Sequence, residues 1–194
     1  MQELHRIGIK FFAEESGPVR LEEFIPVFHH WIQQQALPDT LIDVADYRHV
    51  HAGPGTLLIA HEGNYGYDET GNRRGLIYYS KHKCPGNSAA LLNGICRKAL
   101  LACKLIEQAA EMQNRIGFKC NELLIFSNDR IAAPNTEQSY EAFLPTLRGL
   151  LDRLYPGTEY KVSRETDPRE RLTLHIQSSA PAGVDQLLAR LENA

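Results

Sequence analysis

From Leu92 to Ala110 the apolar residues Leu92, Ile95, Ala99, Cys103, Ile106 and Ala110 recur every three or four positions. That is the stripe of an amphipathic helix. Ser88 offers a cap, Arg115 suits the negative helix end and Gly117 a stop, so the spacing predicts one helix over 88–115. Such a helix is about 42 Å long at its usual rise. A single apolar stripe of that length must lie on a broad apolar surface, and the rest of the chain has the pattern of a sheet.

Residues 4–13 alternate, with His5, Ile7, Ile9 and Phe11 on one parity and Leu4, Arg6, Gly8 and Lys10 on the other. That is a half-buried strand. Further strands are expected at 40–45, 56–62, 75–81, 122–127, 130–133, 159–164 and 171–177. Helical spacing recurs from Ile25 to Ile32, over 137–154 with an interruption at Pro145, and from Val184 to Leu191. The expectation is an α+β fold, helices covering one face of a mainly antiparallel sheet.

One internal match bears on organisation. Residues 21–32 (LEEFIPVFHHWI) align with 140–151 (YEAFLPTLRGLL), with Glu, Phe and Pro coinciding at 22/141, 24/143 and 26/145. A duplicated β-α-β-β-α unit explains this, with halves 1–118 and 119–194; chance likeness between two amphipathic helices explains it as well. Either way 1–194 is read as a single globular domain, since no linker or low-complexity segment divides it.

The net charge of −3 is well mixed in sign, which disfavours a nucleic-acid partner held by phosphate neutralisation. No apolar run is long enough to span a membrane, and residues 1–12 lack a secretory pattern. Cys84, Cys96, Cys103 and Cys120 form no C-x-x-C pair and read as free thiols, which points to a cytoplasmic protein. Cys84 stands before Pro85 and a helix start, where a thiolate can be stabilised, but only His82 is near as a partner.

The stretch 56–80 carries the candidate site. Two apolar runs flank a polar insert, read as a β-hairpin with an oversized loop over 63–74. Hairpin loops usually have about 2–5 residues, and much longer ones tend to be functional. Tyr65 and Tyr67 offer flat surface with a hydroxyl; Arg73 and Arg74 offer planar forks for an anion. Tyr65, Asp68, Arg73 and Arg74 are therefore the ligand-binding candidates, and His61 and Glu62 the candidates for proton transfer. His61 shares parity with Leu57 and Ile59, which predicts a buried or interfacial imidazole, with Glu62 on the opposite face.

His49, His51 and His61 are weak metal candidates. In a meander His61 leaves the opposite end of its strand from His49 and His51, roughly 23 Å away at strand rise, unless two protomers reunite them. No phosphate-binding loop, nucleophile elbow or zinc-protease motif is present, so no cofactor is named. The expectation is a small polar or anionic ligand at 63–74, in a chain that forms a homo-oligomer. The alternatives are a homodimeric interaction protein without catalysis and a metal-dependent enzyme built between protomers.

Overall fold

A computed structural model describes residues 6–50, 54–82 and 88–192. In chain order these form β1 (Ile7–Glu15), α1 (Phe24–Gln34), β2 (Leu41–Asp46), β3 (Thr56–Ala60), β4 (Gly63–Asp68), β5 (Gly75–Ser80) and α2 (Ser88–Gln108). Then follow β6 (Ile116–Ser127), α3 (Glu137–Leu154), β7 (Tyr160–Arg164), β8 (Thr173–Ser178) and α4 (Val184–Glu192). The eight strands make one antiparallel sheet in the order β2-β3-β4-β5-β1-β6-β8-β7. The α+β expectation holds.

Strand parity divides the sheet into two unlike faces. Ile7, Ile9 and Phe11 of β1 share one apolar core with Leu92, Ile95, Ala99, Cys103 and Ile106 of α2. That helix crosses the middle of the sheet over β5, β1 and β6, while α1 packs on β2 and β3. Helices α3 and α4 bury Phe143, Leu147, Leu151 and Leu187 in the same core. Gly8, Lys10 and Phe12 point to the other face, where Lys10 meets the 68–73 turn rather than any of α1 to α4.

Four expectations are corrected. Residues 63–68 are not loop but β4, paired with β3 on one side and β5 on the other and buried throughout. The segment GNYGYD looks polar, yet it alternates: Tyr65 and Tyr67 enter the helix-side core, while Asn64, Gly66 and Asp68 face the open side. Several of its polar atoms have tertiary partners, Glu15 for the Tyr67 hydroxyl at 2.6 Å and Tyr79 for Asn64 Nδ2, while Asn64 Oδ1 is buried without one among the described residues. Helix α2 ends at Gln108, because Ala109 takes extended backbone; a short turn and the left-handed Gln113 and Asn114 then lead the chain into β6. Residues 130–133 form a turn, held by Asp129 Oδ1 accepting from the amides of Ile131 and Ala132. Helix α3 continues through Pro145 without a break.

Each half begins with one strand of the central β1–β6 pair. In each, a helix follows the first strand and the last strand returns beside the first, β5 on β1 and β8 on β6. The matched segments both fall on that helix, 21–32 across the start of α1 and 140–151 inside α3, with Phe24 and Phe143 buried and Pro26 and Pro145 exposed. The first half has two strands more, and Phe118 lies inside β6. Among the described residues no helix is long and apolar enough to cross a membrane.

Candidate functional site

Asp39, between α1 and β2, is a buried carboxylate that three side chains converge on. Its Oδ2 accepts from the hydroxyls of Tyr65 at 3.0 Å and Tyr78 at 2.9 Å, and its Oδ1 pairs with the Lys98 ammonium. The tyrosine rings lie 4.6 Å apart, side by side on β4 and β5. Burial, then the Asp39 charge, pushes the Tyr65 phenol up, so it stays a hydrogen-bond donor. Lys98 reaches this group from α2, its nitrogen also 3.3 Å from the Tyr78 hydroxyl. Its side chain remains 27% exposed, whereas Asp39 is only 2% exposed.

That exposed part of Lys98 faces an open cleft of about 520 Å³ between α2 and the ends of β3 and β5. Helix α2 presents Ala90, Leu91, Gly94, Ile95 and Lys98 to it, the positions that recur on one helical face. Gly94 is exposed, and a Cβ added there would meet nothing within 4 Å. His61, Glu62, Ser80 and His82 form the opposite wall. The imidazoles of His61 and His82 stand 5.1 Å apart, and His82 Nε2 lies 3.0 Å from the His61 carbonyl.

Both proton-transfer candidates therefore line the cleft, though not as expected. The His61 side chain is 68% exposed, because β3 ends at Ala60 and the following turn swings the ring out of strand register. Glu62 is committed to structure: it accepts from the Thr40 amide at 2.8 Å and the Thr40 hydroxyl at 3.0 Å. Partial burial opposes its ionisation, yet these Thr40 bonds win and hold its carboxyl below the ordinary range. His61 Nδ1 and Glu62 Oε1 are 3.9 Å apart, too far for a hydrogen bond.

The four residues expected to bind ligand at 63–74 are dispersed. Tyr65 is buried under Asp39, and Asp68 pairs with Lys10 on the open face. Arg73 stacks on Phe12 at 3.6 Å and makes a bidentate pair with Glu122 at 2.8 and 2.7 Å. Arg74 turns the other way to Glu15, Glu69 and the Val19 carbonyl. Each charged group already has its partners. For a metal, His49 stacks beside Tyr47 at 6.4 Å, and His51 lies outside the described residues. Among the described residues no three His, Cys, Asp or Glu gather as a metal would need.

Asp39, Tyr78 and Lys98 escape sequence reasoning, and His82 enters it only as a neighbour of Cys84. They come from four segments, and the one local signal is Lys98 flanking the apolar stripe of α2. Three thiols are buried as expected. Burial pushes Cys96 and Cys103 up and Cys120 up to about 12, so none is a nucleophile; Cys84 lies outside the described residues. Comparison with protein-family models, curated proteins and solved structures finds no match to this chain.

Proposed function

We propose that the protein binds a small organic molecule in the cleft between α2 and the ends of β3 and β5. The observation that carries this reading is Lys98. Its ammonium is anchored by a buried carboxylate and a tyrosine, yet stays partly open to a cleft walled by Leu91 and Ile95. A few fixed polar groups in an otherwise apolar concavity are what ligand sites have in common. The ligand places an apolar body against Leu91 and Ile95 and a polar or anionic group toward Lys98, His61 and His82.

Native mass spectrometry of protein purified without added ligand, followed by a fragment screen by ligand-observed NMR, tests this. Gly94→Phe is the control, because it fills the cleft while removing a helix-interior glycine that costs roughly 1 kcal/mol. Aliphatic carboxylates should bind the natural chain and not Gly94→Phe, whose melting temperature is unchanged or higher. Equal binding to both proteins, or none to either, would overturn the proposal.

A second reading, self-association, is favoured by the β2 edge. Ile42 on that outer strand is 56% exposed, and Tyr47 and Val50 just beyond it are also exposed. An unpaired edge with apolar side chains is a ready surface for another chain. Ile42→Lys should then lower the mass measured by analytical ultracentrifugation; an unchanged mass removes this reading.

A further inference from the structure

The open face of the sheet is built in rows. Asn64, Tyr79, Gly8 and Phe126 stand in register across β4, β5, β1 and β6, and Ile77 and Lys10 stand in the next row. A side-chain carbon on Gly8 would run into the Phe126 ring, so glycine there lets Phe126 lie flat across the sheet. On that ring rests the Arg171 guanidinium, 3.6 Å from the centroid. Arg171 borders an open cleft of about 480 Å³, together with Arg130, Asn128, Tyr79 and Thr70.

The charges of this face do not close. Lys10 pairs with Asp68, whose oxygens also accept from the Thr70 amide at 3.2 Å and hydroxyl at 2.6 Å. Arg73 and His175 share Glu122. Among the described residues Arg171 has no carboxylate within ion-pair distance: its hydrogen bond is from Nη1 to Asn128 Oδ1 at 2.7 Å. Arg130 gives its Nη1 to the Arg169 carbonyl at 3.0 Å. Glu170, on the same cleft, is exposed and makes no ion pair with either arginine. A guanidinium cannot shed its proton when desolvated, so the half-buried Arg171 keeps its full charge at the cleft. Burial pulls Arg171 down from its ordinary value, with Asp68 and Glu170 opposing from a distance.

We propose that this cleft is an oxyanion site, in which Arg171 and Arg130 receive a carboxylate or phosphate group of a small molecule whose body rests on Ile77 and Tyr79. The fork of Arg171 is fixed in plane by Phe126 and Asn128, the preorganisation a bidentate contact needs. The site lies on the face of the sheet opposite α2 and does not depend on the Lys98 cleft.

The test uses two probes, inorganic phosphate and benzoate, each titrated against sodium chloride of equal ionic strength. Binding is followed by thermal shift and by the Arg Nε–H resonances. At least one probe should saturate and move the Arg171 resonance; which one does so separates phosphate from carboxylate ligands. Arg171→Met should weaken it about tenfold or more, the loss expected for hydrogen bonds to a charged group. Arg171→Met should also melt at or above the natural temperature without probe, because the uncompensated charge is gone. Arg130→Gln, at an exposed position, should weaken binding without changing the fold. Gly94→Phe should leave it untouched, which separates this site from the Lys98 cleft. No saturable binding of either probe, or unchanged affinity in both arginine variants, overturns the proposal.

Discussion

Gly8 lies directly beneath the ring of Phe126, its partner across β1 and β6. A methyl group at position 8 has to lift that ring, and with it Arg171. Gly8→Ala should therefore cost about 1–3 kcal/mol, the range for overpacking a well-filled site. Urea denaturation measures it. Phe126→Leu in the same chain should recover part of the loss, and additive effects would mean that the two positions are not coupled.

Asp39 holds two tyrosine hydroxyls and one ammonium at a single buried point. Asp39→Ala strands all three and should destabilise by roughly 3–5 kcal/mol. Lys98→Met should cost less, because the carboxylate keeps both hydroxyls and Lys98 is partly exposed. Equilibrium unfolding of the two variants checks the order, and a Lys98→Met loss as large as that of Asp39→Ala would contradict it.

Two carboxyls give stability opposite dependences on pH. Glu122 is held below its ordinary 4.5 chiefly by Arg73, with burial opposing and His175 adding to the pull. Its contribution is present above that ordinary value and is lost as pH falls through the lowered one. Arg73→Gln should flatten this acid limb. Burial raises Glu107 above 4.5 against the hydrogen bond it accepts from the Phe118 amide. Stability contributed there is present in acid and is lost as pH rises through the raised value. Glu107→Gln keeps an acceptor for Phe118 and should raise the melting temperature at neutral pH. No gain at neutral pH would refute that assignment.

Cys96, Cys103 and Cys120 are buried thiols with no access to reagent. A Cys84→Ser variant should release no colour from a disulfide dye while native, and three equivalents after denaturation. Reaction of any of the three in the native protein would show that the core around α2 opens.

The elements with strong periodicity were legible in the sequence. The stripe of α2 and the alternation of β1 name the two layers that meet at the core. β4 was not legible, because Asn64 and Asp68 are polar in sequence and take partners from other strands, Tyr79 and Lys10. His61 and Glu62 were picked out and do line the cleft. The residue beneath them, Asp39, follows a proline in a connection and acquires its role from Tyr65, Tyr78 and Lys98. A site whose polar floor is assembled from four segments leaves no spacing to read.

The central place of β1 has a consequence for how the chain is made. Ile9 pairs with Tyr78 on one side and with Ile125 on the other, both far ahead of it in synthesis. The first strand therefore waits, unpaired, until β5 and then β6 have left the ribosome. Closing such distant pairings is slow, and a strand carrying Ile7, Ile9, Phe11 and Phe12 is a surface for wrong partners meanwhile. The strand order thus ties completion of the centre of the sheet to the arrival of β6.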